Sequence, residues 1–209
     1  MCCHKPRTTG WNEKFPAEML MIIQSDHLET YPGYRGDVST PCRHFTCLSP
    51  GEDLVVADVA HEIGHATGMI HEHQRRELSP KHNLLRLNCT ALIRYSEAVD
   101  QAKKDGKDEF TPWIAYAYAR QIGFISSQFM KFPSNMQLNG GPPVGWHSLM
   151  MYGSDQSAKT KRCLEDKHPE FCPLARIVDE KGSLQWMSRN KKPIKEDVEW
   201  VGLGYPWKG

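Results

Sequence analysis

His61-Glu62-Ile63-Gly64-His65-Ala66-Thr67-Gly68-Met69-Ile70-His71-Glu72 is the stretch of this 209-residue chain whose reading decides the rest. Two histidines four residues apart lie on one face of an α-helix, one turn above the other, so their imidazoles can converge on one metal ion. Glu62 follows His61 at about 100° round the helix, where its carboxylate can reach a metal-bound water without itself binding the metal. Gly68 can take the positive φ that ends a helix sharply, and His71 three residues later swings back as a third nitrogen ligand. Three imidazoles leave one position for water, as in a catalytic zinc site. A structural zinc closes that position with Cys or His, and no Cys lies in this stretch. At this composition HExxHxxGxxH arises by chance in on the order of one sequence in ten thousand of this length.

Working outward, Asp53 is placed to cap a helix whose apolar residues Val55, Val56, Val59, Ala60, Ile63 and Ala66 recur at three- and four-residue steps and which ends near Gly68. Upstream, the run from Pro16 to Gln24 fits a buried strand or a short helix begun at Pro16, with the strand favoured, Tyr31 to Gly36 reads as turns, and His44 to Leu48 as a short strand before the breaker pair Pro50-Gly51. Downstream, helical spacing runs through Leu92, Tyr95, Ala98, Val99 and Ala102 and dissolves in the charged 103–107 stretch. Further helices are expected from Trp113 to about Phe124 and from Glu196 to Val201. Asn139-Gly140-Gly141-Pro142-Pro143 is a loop of the kind that frames sites. No repeat or linker interrupts the chain, so residues 1–209 read as one domain.

Composition narrows the function classes. With 26 basic against 25 acidic side chains the formal charge is +1, which advertises no nucleic-acid partner. An apolar fraction of 39% suffices for a core. The longest apolar run, Met19 to Ile23, is far short of the roughly 20 residues that cross a bilayer, so no membrane partner is expected. Among seven cysteines no CxxC pair occurs, whereas Cys42 with Cys47 and Cys163 with Cys172 each bracket a short polar stretch that a surface disulfide would close. An oxidising compartment follows. Asn88-Cys89-Thr90 also satisfies the glycosylation pattern, a weak signal alone. The amino terminus has neither the apolar core nor the cleavage site of a secretory leader.

The zinc motif, with Glu72 directly after the third histidine, resembles the astacin form of the metzincin motif, and Ser148-Leu149-Met150-Met151-Tyr152 is similar to that family's downstream Ser-x-Met-x-Tyr. Together with His71-Glu72-His73-Gln74-Arg75, Asn88-Cys89 and Asp197 to Val201, these residues look most similar to secreted fungal astacin-like proteases, over roughly Tyr34 to Trp207. The resemblance implies an α+β metzincin-like fold. A small twisted sheet and the zinc-site helix would form the N-terminal half, the C-terminal half would be mostly helical and irregular, and a cleft would run between subdomains of about 1–71 and 72–209. Only about sixty residues precede His61, so the N-terminal half is expected to be shortened relative to astacins. It further implies one catalytic zinc held by His61, His65 and His71, with Tyr152 as a fifth, displaceable ligand and Met150 as an apolar floor beneath the imidazoles. Glu62 and Tyr152 are then the catalytic residues.

The activity so implied is hydrolysis of peptide bonds by a secreted, monomeric metalloendopeptidase acting on protein or peptide substrates. An extended substrate would lie against a strand edge, and His44 to Leu48 is the strand nominated for it. The rival class is a non-catalytic secreted binding module that keeps zinc; the intact Glu62 argues against it. For the remaining residues blander roles are favoured. His73 reads as a solvated histidine or one behind the ligands, and His147 as a loop residue. Arg75 and Arg76 read as surface partners of Glu72 or Glu77, and Trp113, Tyr116, Tyr118 and Phe124 as core with polar tips.

Overall fold

The computed structural model describes residues 19–33, 44–49, 55–75, 84–130 and 145–206. It is a mixed α+β chain that divides into two compact units, one from residues 1–70, 147–150 and 191–209, the other from 71–146 and 151–190. Cys42, Asp53, Arg76, Glu77, residues 34–36 and the 139–143 loop lie outside the described residues.

In the first unit, β1 (Met21–Gln24) runs parallel to β3 (Phe45–Leu48), with Met21 opposite Phe45 and Gln24 opposite Leu48. On the other side of β3, β2 (Glu29–Thr30) pairs antiparallel, with Glu29 opposite Cys47 and Thr30 opposite Thr46. The order is β1-β3-β2, so the strand nominated as a substrate edge is the central one. Phe45, Thr46 and Cys47 are consecutively buried, as in a strand covered on both faces, and its ladder groups are taken on each side.

Helix α1 (Val56–Ala66) packs against β2 and β3. Val55 is its cap, and Asp58 in the first turn reaches back to accept the Val55 N–H at 3.2 Å. The helix buries the opposite face from the one its apolar spacing indicates. Val56 is 87% exposed and Ile63 55%, whereas Asp58, His61, Glu62 and His65 are buried. Polar groups occupy the inward stripe because that stripe is the site. The helix stops as expected, with Gly68 at φ +96° and its N–H on the His65 carbonyl at 2.7 Å. Gly33 N–H reaches the same carbonyl at 2.9 Å, and a Cβ on Gly33 would lie 3.3 Å from Gly68 Cα, so the two glycines permit this close approach.

In the second unit, β4 (Leu85–Leu87), β5 (Leu174–Ile177) and β6 (Leu184–Gln185) form an antiparallel sheet in that order. Helix α2 (Tyr95–Lys104) buries Ala98, Val99 and Ala102. The helix expected from Trp113 is two short ones, α3 (Thr111–Ile114) and α4 (Tyr116–Gln121), broken at extended Ala115. After the break Tyr118 points inward and its hydroxyl donates to Asp105 at 2.7 Å. Leu92, Phe124, Phe129 and Leu174 form the core; Leu92 has no exposed surface, and its burial contributes about 2 kcal/mol. Cys163, in α5 (Lys161–Leu164), and Cys172 are bonded as expected, but both are fully buried with Ala158 rather than at the surface.

Candidate metal centre

Helix α1 puts the His61 and His65 rings edge to face, with centroids 4.8 Å apart. The chain turns at Gly68 and brings in His71, and one nitrogen from each of His61, His65 and His71 lies within 4.8 Å of the others, all three side chains being buried. What orients them is the Nδ1 atom. His61 Nδ1 is 3.0 Å from the Leu149 carbonyl, His65 Nδ1 2.8 Å from the Met69 carbonyl, and His71 Nδ1 3.1 Å from Gln74 Oε1. An oxygen acceptor at each Nδ1 places the ring proton there, so each Nε2 keeps its lone pair. Burial, with His61 beside it, pushes the His65 pKa down to about 4, so this imidazole is neutral at pH 7. Three buried, pre-oriented imidazoles fit a metal ion of the kind nitrogen ligands favour, zinc among them.

Beneath α1, Gly64 makes room for Met150, whose Sδ would lie 2.7 Å from a Cβ on that glycine. Met150 is 1% exposed. Its turn is held from α6 (Lys195–Gly204), where buried Asp197 accepts Ser148 Oγ at 2.6 Å, the Leu149 N–H at 2.9 Å and the Ile194 N–H at 3.0 Å. Ser148 Oγ in turn accepts the Met150 N–H at 3.0 Å. The acid three residues into α6 reads in sequence as a helix start; nothing there signals its grip on residue 148.

Tyr152 lies against the third histidine, with ring centroids 4.1 Å apart, and its hydroxyl donates to Gln128 Oε1 at 2.6 Å. His73 is buried, not solvated: it stacks on His71 at 5.3 Å, contacts Tyr152 at 4.6 Å and has Nε2 2.9 Å from the Gln128 carbonyl. Glu72 and Arg75 do pair, at 2.7 Å, but with side chains only 9% and 14% exposed rather than on the surface. Glu72 also accepts the Gly145 N–H at 2.8 Å. Glu62 is buried on α1 beside His61, and His147 is exposed. Gln74, Gln128 and Asp197 are the polar residues that sequence reasoning missed. Gln128 and Asp197 bond Tyr152 and Ser148, which are remote in the chain, whereas Gln74 bonds both His71 nearby and Met130 far from it.

No established family description matches the sequence, and no curated protein does. Among solved structures, the fold is similar to that of high choriolytic enzyme 1, a hatching enzyme zinc-protease from the medaka fish Oryzias latipes. The identity is 17%, the TM-score 0.52, and the match covers 90% of this chain and 68% of that one. Myroilysin matches at 16% identity and a TM-score of 0.41, over 91% of this chain and 73% of its own. At such identity what this chain shares with the hatching enzyme is its fold, and within that fold stand three histidines able to hold one metal ion.

Proposed function

We propose that this chain is a secreted, astacin-like zinc metalloendopeptidase that works as a monomer on protein or peptide substrates. The observation that carries the reading is the set of three buried imidazoles, each with Nδ1 held by an oxygen, two of them on a helix that also buries Glu62 between them and the third past its end. The fold likeness to a zinc protease and the buried disulfide support it.

His61, His65 and His71 are the residues that would hold the ion. A zinc ion bound there supplies a Lewis acid that lowers the pKa of a ligated water towards about 7 and polarises the scissile carbonyl. Glu62 takes the proton from the attacking water as its oxygen adds to the carbonyl carbon, and returns it to the amine nitrogen as the C–N bond breaks. Tyr152, whose hydroxyl rests on Gln128, would donate it to the carbonyl oxygen as that oxygen gains charge, and would be the residue to serve as a further, displaceable ligand of a bound ion. Cleavage of a quenched peptide library that stops on chelation and returns with one equivalent of zinc is the expected result. A chain that holds one zinc and cuts no peptide in the library counts against the reading and leaves the binding module.

A further inference from the structure

We infer that Gln74 is the positioning residue for His71, fixing its tautomer and ring plane through the side-chain amide. The inference rests on the reading of His71 as a metal ligand.

The three histidines are not held alike. His61 and His65 face main-chain carbonyls, which no substitution at those positions removes, whereas His71 faces a side chain. The direction of that contact follows from the far end of the same amide. Gln74 Nε2 donates to the Met130 carbonyl at 2.7 Å, and only the NH2 end of a carboxamide can do so. Oε1 is thereby turned towards His71 Nδ1, 3.1 Å away, and being an acceptor it requires the proton on Nδ1. The His71 Nε2 lone pair is left for a metal.

The backbone makes the arrangement stiff. Gln74 closes a 3-10 turn over Glu72–Gln74, and its own N–H bonds the His71 carbonyl at 2.9 Å, so main chain and side chain both span the same three residues. Residues 128–130 supply two anchors: the Gln128 carbonyl to His73 and the Met130 carbonyl to Gln74. Gln74 is 1% exposed. A buried carboxamide is costly unless both ends are bonded, and a Met or Leu would fill the same space without that cost. Both ends are bonded here, and one of the bonds is to a histidine of the metal group.

The test compares metal-free parent, Gln74→Met and Gln74→Glu. Each is titrated with zinc against a chromophoric chelator and with cobalt(II) followed by its visible spectrum, and the imidazole tautomers of the metal-free parent are read from long-range 1H–15N correlations. Expected are a loss of zinc affinity of about 10- to 100-fold in Gln74→Met with an altered cobalt spectrum, and a smaller loss in Gln74→Glu, which keeps an acceptor towards Nδ1 but gives up the donor to Met130. His71 in the parent is expected as the Nδ1–H tautomer. Parent-like affinity and cobalt spectrum in Gln74→Met overturn the inference, and so does a His71 that carries its proton on Nε2. Should Gln74→Met fail to fold, the parent tautomer decides. Should the parent bind no metal, the metal reading has failed, and the tautomer still reports separately on Gln74.

Discussion

Ser148 Oγ donates to Asp197 Oδ1 at 2.6 Å, joining residues 49 apart in the chain. The other carboxylate oxygen accepts the Leu149 N–H, and the Leu149 carbonyl faces His61 Nδ1. The orientation of one candidate ligand is thus inherited from the last helix. Asp197→Ala leaves buried donors on Ser148 and Leu149 without their acceptor, which costs about 3 kcal/mol. Metal-free thermal unfolding should show a fall in Tm of roughly 6–12 °C, with a smaller fall in Asp197→Asn, which retains one acceptor. An unchanged Tm would mean that the carboxylate does not hold the turn.

Gly64 and Met150 form a second such pair. Gly64→Ala gains about 1 kcal/mol of helix propensity but sets a methyl 2.7 Å from Met150 Sδ, and overpacking a buried site costs about 1–3 kcal/mol. The single variant should be destabilised by up to about 2 kcal/mol. In the Met150→Ala background the same change should be neutral or stabilising, because the clash is gone. Equal effects in both backgrounds, measured by denaturant unfolding, would contradict the contact.

These two pairs mark how far the sequence could be read. The stretch from His61 to His71, the stop at Gly68 and the Cys163–Cys172 bond were legible because each is a local pattern of spacing. The buried face of α1 is not legible from its apolar spacing, since that spacing points to the core only where no polar site competes for the inside, and here Val56 and Ile63 face outward. The place of β3 in its sheet was misread, because a four-residue strand carries no signal of how many neighbours it has. The pairing of β4 with β5 joins residues about ninety apart, which no window along the chain contains. Asp197 and Gln128 carry no signal for the same reason, whereas Gln74 lies three residues from His71 but shows its role only once Met130 fixes the direction of its amide.

The disulfide closes a short loop, with Cys163 and Cys172 separated by nine residues. In the loop-entropy account such a bridge contributes about 2–3 kcal/mol. Cys163→Ala with Cys172→Ala should lower the urea midpoint by the equivalent of that amount, while the metal affinity set by His61, His65 and His71 changes little. A midpoint equal to the parent's would show that the bridge adds nothing.

Cys89 is buried in the second unit's core, and burial pushes its thiol pKa from 9.0 up to about 12. The thiolate is therefore disfavoured in the folded chain, and native protein at pH 8 should leave Cys89 unmodified by iodoacetamide while the unfolded chain is alkylated there, as read by peptide mass mapping. Because the folded pKa is the higher one, the stability this thiol contributes is complete below pH 9 and is lost as pH rises from 9 towards 12. Parent protein should lose stability above pH 9 more steeply than Cys89→Ala. Parallel slopes would refute the assignment.

The central claim is that His61, His65 and His71 hold a zinc ion for which Glu62 serves as the base. The most direct measurement is cleavage of a quenched peptide library by zinc-loaded parent and zinc-loaded Glu62→Ala, with metal content determined in both. One zinc per chain in each, cleavage by the parent, and a rate at least about 100-fold lower in Glu62→Ala is the predicted result. Equal zinc and equal cleavage rates in the two proteins would contradict it.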